Sequence, residues 1–229
     1  MANSINTNVG ALVALQNLNA TGRELNVAQN RVNTGLKVAS AKDNGAIWAI
    51  AQNQEANMQV LNATRNSLQR TQSINDVGLA AGETIMDALR QMKELAAGPA
   101  SAARDADLAA LRTEIVAAQA AAVFDGAPAL SGLTLTIAAA PTAGQIDTDL
   151  ASAISALQAL GTASKSTERS LAFNDKLQDA LEAGIGNLID ADLAKESARL
   201  TALQTKQQLG VQALSIANQS GSILLGLFR

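Results

Sequence analysis

The stretch "QQLGVQALSIANQSGSILLGLFR" (207–229) carries no charged side chain between Lys206 and Arg229. It is rich in Leu, Ile and Val, yet Gln207, Gln208, Gln212, Asn218 and Gln219 interrupt it. A membrane-spanning helix needs about 20 predominantly apolar residues, and each of these amides is costly in lipid, so a span is disfavoured. The opposite end repeats the pattern. "MANSINTNVGALVALQNLNATG" (1–22) is also uncharged and polar-spaced, and it has neither the basic start nor the clean apolar run of a signal peptide. Such segments suit helices covered on most sides by other protein, with hydrogen-bonding side chains at the seams.

Composition narrows the function classes. The chain of 229 residues has no Cys, His or Tyr, one Trp and three Phe, while its hydrophobic content is 48%. Without Cys and His, the commonest zinc and transition-metal ligands are absent, as are thiol nucleophiles and the commonest general base. The apolar content is carried by Ala, Leu, Ile and Val, which favours helices packed over long seams. A net charge of −3 and a pI near 5.0 argue against a nucleic-acid partner held on a broad basic face.

The three prolines, Pro99, Pro128 and Pro141, lie in the middle of the chain, so nothing in 1–98 or 142–229 forbids long helices. Ile74, Ala81, Ala88 and Leu95 recur every seven residues, with Gly78, Ile85 and Met92 between them, which is a heptad seam. The first helix, about 4–32, has Ala11, Leu18, Leu25 and Val32 at the same spacing, with Leu15 and Ala28 beside them. The last, about 190–228, places Leu193, Leu200, Leu203, Leu214, Ala217 and Leu224 on its seam, interrupted by Gln207 and Gly210. Between them, 147–189 is helical, with "LGTASKST" (160–167) either a break or a weaker part of one helix. Asp-Gly in "VFDG" (123–126) is a hairpin turn signal. The alternation of Leu133, Leu135 and Ile137 with Thr134 and Thr136 is the period-two mark of a half-buried strand. The fold class is therefore mainly α: long antiparallel coiled-coil helices with one small β-hairpin at about 122–146, the chain going out along two helices and back along two. The apolar residues of 207–229 do not fit a single stripe. A lone copy would leave a large apolar area wet, which soluble monomers rarely do, so both ends are expected to find cover in neighbouring copies.

Three stretches, "SINTNVGALVALQNL" (4–18), "RVNTGLKVASAKDNGA" (31–46) and "DADLAKESARLTALQTKQQLGVQALSIANQSGSILLGLFR" (190–229), resemble the two terminal signatures of bacterial flagellins, in the form found in alphaproteobacteria. The resemblance implies a structural subunit of the flagellar filament, not an enzyme. It implies an inner-tube helix at 1–32, a spoke at 33–43 (Gly35, Ser40, Asp43), an outer-tube rod with a β-hairpin at 44–189, and a second inner-tube helix at 190–229. The self-assembly residues expected on the inner tube are Leu12, Leu15, Leu18, Leu25, Val32, Leu193, Leu200, Leu203, Leu214, Ala217, Leu224, Leu227 and Phe228. The partner implied is the chain itself, together with an export chaperone and the junction and cap proteins of the appendage; secretion would follow the flagellar type III route. Neither cofactor nor metal is expected. A flagellin-like junction or cap protein is the alternative. Ser131, Thr134, Thr136, Thr142 and Thr148 fall where some flagellins carry O-linked sugars. The family's innate-receptor motif matches "RQMKELA" (90–96), but Gln91 replaces its key arginine, and a solvated helix face is the better reading there. Asp190 and Asp192 are read as capping or pairing groups, and Gly78-x-x-x-Gly82 as a close helix approach.

Overall fold

The computed structural model describes residues 8–138 and 141–227, with side chains described as far as residue 219. Among the described residues, five helices, α1 (Val9–Thr34), α2 (Ala41–Ala97), α3 (Ala102–Ala121), α4 (Ala143–Ile189) and α5 (Leu193–Leu227), accompany two short strands, β1 (Val123–Phe124) and β2 (Ala127–Pro128). The chain divides into two units, one made of 1–57 and 181–229, the other of 58–180.

In the unit 58–180, the heptad positions of α2 face inward: Ile85, Ala88 and Met92 are buried, together with Leu89 beside the seam, and Ile74, Ala81 and Leu95 pack around them. Leu108 and Ile115 of α3, Leu130 and Leu133 of the following segment, and Ile146 and Ala153 of α4 complete the core. The helix α3 is an element beyond the two outgoing helices expected from periodicity. Ser101 starts it, its hydroxyl oxygen accepting from the amide of Arg104 at 3.2 Å, an N-cap. The stretch 160–167 is not a break, for α4 runs through it. Its periodicity is weak because its inward face is polar. Ser164 and Thr167 are buried; Gln72 Nε2 donates to Ser164 Oγ at 2.7 Å and the Thr167 hydroxyl to Ala163 O at 2.9 Å.

The β pair is confined to 123–128, with Val123 opposite Pro128 and Phe124 opposite Ala127. The alternating 133–138 segment is not a strand of it. Leu133 is buried, Leu135 and Ile137 are half-buried and the threonines between them exposed, so the pattern reports burial correctly. Ladder pairing is replaced by side-chain bonds. The Thr136 amide and hydroxyl both donate to Oδ1 of buried Asp149, at 2.8 and 3.1 Å, and Leu133 O accepts from Gln119 Nε2 at 3.1 Å. Thr142 then opens α4 in a reciprocal capping box with Gln145.

A Cβ on Gly78 would lie 2.8 Å from the backbone oxygen of Ala129, and one on Gly82 would lie 2.5 Å from Leu157 Cδ2. The first obstacle is main chain and the second is the tip of a flexible side chain. Gly78→Ala is therefore expected to destabilise this unit by about 1–3 kcal/mol. Gly82→Ala is expected to cost less, because Leu157 can turn aside and alanine favours the helix by about 1 kcal/mol. Thermal unfolding of the two variants measures the difference; equal losses would contradict this packing.

Candidate self-association surface

In the unit 1–57 with 181–229, α1 and α5 form an antiparallel pair. Asn8 fixes one end. Its Oδ1 accepts from the Ala11 amide at 3.1 Å, capping α1, while its Nδ2 donates to Ala217 O at 2.6 Å. At the other end Arg31 Nη1 donates to Glu196 Oε1 at 2.9 Å. The pair suits both helix dipoles, since Arg31 lies in the last turn of α1 and Glu196 in the first turn of α5.

Between these pins, Ala11, Ala14, Leu18, Thr21, Leu25, Ala28 and Val32 are buried or half-buried at alternating steps of three and four, a heptad seam. On α5 the matching residues are Glu196, Leu200, Leu203, Gly210, Leu214 and Ala217. Leu25, Ala28 and Leu203 form the buried centre, with Leu200 packed on it. Gly210 belongs to the seam: a Cβ there would stand 3.2 Å from Leu18 Cδ1. Ala14 and Thr21, with its hydroxyl donated to Asn17 O at 2.9 Å, fill the intervening seam positions, where a small or polar side chain gives no apolar signal in the sequence. Leu15, expected beside the seam, is exposed.

The connectors are tied to each other by main-chain bonds. Gly35 ends α1 with φ 72°, and its amide donates to Arg31 O; this left-handed cap favours glycine. Leu36 and Asp190 form an antiparallel bridge. Lys37 N and Val38 N donate to Ile189 O, at 2.6 and 3.2 Å, and Ala191 N to Gly35 O at 2.8 Å. Asp43 Oδ2 then accepts from the amides of Ala39 and Ser40 and from the Ser40 hydroxyl. Asn44, with non-helical φ −161° and ψ 100°, caps the helix proper by accepting from the Ile47 amide at 3.1 Å. Asp192 Oδ1 caps α5 through the Lys195 amide. Sequence pattern cannot show backbone bonds between segments some 150 residues apart, and the Arg31–Glu196 pair was missed for the same reason.

Pairing leaves much of both helices bare. Leu12 and Leu15 on α1 and Leu193 on α5 are exposed, alongside Val9 at 60% and Ile216 at 67%. Val13, Val27, Leu209 and Val211 are exposed as well. Leu224 and Leu227 lie in the helical part of α5 beyond its described side chains, and Phe228 lies outside the described residues. Among the described residues, no helix is long and apolar enough to cross a membrane, and no cluster of acidic side chains could hold a metal ion.

Elsewhere, Ser131, Thr134, Thr136, Thr142 and Thr148 are all exposed. On the 90–96 helix face, Gln91 is exposed and Lys93 is paired with Asp147 at 2.6 Å.

Two heptad-patterned terminal helices, each ending the chain on an uncharged stretch and paired yet half bare, define a self-associating helical subunit. Comparison with known proteins agrees. Residues 5–134 match the bacterial flagellin N-terminal helical region and residues 143–228 the bacterial flagellin C-terminal helical region. Flagellin FljK of Caulobacter vibrioides is 50% identical over 270 aligned positions, covering 99% of each chain. Flagellin FljJ of the same organism is 36% identical, covering all of this chain and 99% of the relative. A flagellin of Brucella melitensis is 32% identical, with 99% of each covered. The chain belongs to the bacterial flagellin family, and it is a structural subunit of the flagellar filament. That filament is an extracellular, self-polymerised appendage. The FljK alignment is longer than the 229 residues here, so that relative carries inserted segments this chain lacks.

Proposed function

We propose that the α1–α5 pair is the inner-tube polymerisation region and that its bare apolar face is closed by neighbouring copies. The carrying observation is the exposure of Leu12, Leu15, Leu193, Leu209 and Ile216 on helices that are already paired. Covering apolar surface contributes about 25 cal/mol per Å², and in a helical lattice the gain recurs at every subunit. Residues 33–43 act as the spoke, 44–189 as the outer-tube domain and 190–229 as the returning inner-tube helix. Leu18, Leu25, Val32, Leu200, Leu203, Leu214 and Ala217 hold the pair together, and Leu224, Leu227 and Phe228 are further self-assembly residues of the same region. The chain acts as a building element and not as an enzyme. It leaves the cell by the flagellar type III route, met by an export chaperone inside and by the junction and cap proteins outside. One or more of the exposed hydroxyls of Ser131, Thr134, Thr136, Thr142 and Thr148 accept O-linked sugar.

Hydroxyl-radical footprinting of monomer and polymer tests the reading. Leu12, Leu193 and Ile216 are expected to be labelled in the monomer and protected in the filament, with Val60 as a reference outside the terminal pair. Undiminished labelling of all three in the filament would refute it.

A further inference from the structure

The β1–β2 connection is a two-residue turn in which both residues have positive φ, Asp125 at 50° and Gly126 at 76°, the type I′ geometry that suits a tight hairpin. Asp-Gly is also the dipeptide in which a side-chain carboxyl meets the least hindered following amide. The turn is open: the Asp125 side chain is 67% exposed, and nothing lies within 4 Å of where a Gly126 Cβ would be. One neighbour interferes. Arg70 of α2 places Nε 2.8 Å from Asp125 Oδ2 and donates from Nη2 to the Asp125 carbonyl oxygen at 3.2 Å.

We propose that Asp125–Gly126 is a site of spontaneous aspartate isomerisation and that Arg70 is the positioning residue that restrains it. In the reaction the Gly126 nitrogen attacks Cγ of Asp125 in its neutral acid form. A new C–N bond closes a five-membered succinimide, and the carboxyl hydroxyl leaves as water, taking the amide proton. Water then opens the ring. Attack at the original side-chain carbonyl restores aspartate, and attack at the main-chain carbonyl gives isoaspartate, with the backbone rerouted through Cγ. No oxidant or cofactor is needed. The Arg70 guanidinium clasps a carboxylate oxygen and the main-chain oxygen of the same residue. On the carbonyl carbon, that oxygen and the Gly126 nitrogen point in different directions. The clasp therefore keeps the carboxylate on the oxygen side, away from the nitrogen it would have to meet. Isoaspartate would lengthen the turn backbone by one carbon. A two-residue turn cannot absorb this while the Ala129 amide stays on Ala122 O at 2.8 Å. Leu130 and Leu133, just beyond, sit in the core of this unit.

The test ages the full chain at neutral pH in H₂¹⁸O and maps peptides by mass spectrometry, reading heavy-oxygen uptake and isoaspartate at position 125. Wild type, Arg70→Ala and Arg65→Ala are compared, because Arg65 forms an exposed ion pair with Asp175 remote in sequence from the turn. Turnover at position 125 in Arg70→Ala is expected to exceed wild type by about two- to fivefold, the range over which an exposed ion pair controls a local equilibrium. Arg65→Ala is expected to match wild type. Equal rates in wild type and Arg70→Ala, or equal acceleration in both variants, would overturn the role of Arg70. No product at position 125 in any of the three chains would overturn the site itself.

Discussion

Leu203→Asp is expected to abolish filament formation. Leu203 is 5% exposed and packs with Leu25 and Ala28 at the centre of the α1–α5 seam. Losing a buried leucine costs about 2–5 kcal/mol. A carboxylate in its place adds a desolvation penalty of several kcal/mol. The nearest seam residues, Leu200, Leu25 and Ala28, supply no cation to offset it. Leu25, Ala28 and Leu203 are the buried centre of the pair, and the rest of the seam is only half-buried apart from Thr21 and Glu196, so α1 and α5 should separate. Sedimentation and electron microscopy at matched concentration should find no polymer. The core of 58–180 does not include this residue, so circular dichroism should retain the helical signal of that unit. Normal filaments from this variant would show that the terminal pair is not needed for assembly.

The second large effect lies in the other unit. Leu89 is fully buried among Ile85, Met92 and the α3 and α4 side chains. Leu89→Ala should lower that unit's stability by about 2–5 kcal/mol, with a thermal midpoint drop of roughly 8–20 °C. The exposed terminal face is untouched, so filaments should still form below the new midpoint. Val116→Ala on α3, at a position 54% exposed, is the control and should shift the midpoint little. A small shift for Leu89→Ala would mean that the packing of α2 against α3 and α4 is wrong.

What could be read from sequence was what burial imprints on residue type. The 74–95 heptads, the seam through Leu18, Leu25 and Val32, and the Asp-Gly turn are all chemical preferences written at fixed spacing. Features that depend on main chain or on polar contacts left no such trace. The 133–138 alternation looked like a strand because its inward leucines obey period two, yet Asp149 occupies the Thr136 amide in place of a partner strand. The helix α3 was hidden because its inward face rests on Leu108 and Ile115 among many alanines. Within the candidate site, periodicity placed Leu193 on the seam of the last helix and Leu15 beside that of the first, whereas both are exposed, as is Leu12. Large apolar side chains mark a surface to be covered, but they do not say whether the cover is the same chain or another copy. The connector bonds between 35–38 and 189–191 are backbone to backbone, so no side chain announced them.

Ile216 separates those two kinds of cover. At 67% exposure in the chain alone, it contributes almost nothing to the fold of one copy. Ile216→Asp should leave the thermal unfolding curve of the monomer unchanged within about 0.5 kcal/mol, as surface substitutions do. If neighbouring copies cover this face, the same variant must bury a carboxylate in every subunit and should not polymerise. The decisive measurement is its critical concentration for assembly beside wild type. No filaments are expected at concentrations many times the wild-type threshold, from a monomer that unfolds normally. An unchanged critical concentration would contradict it.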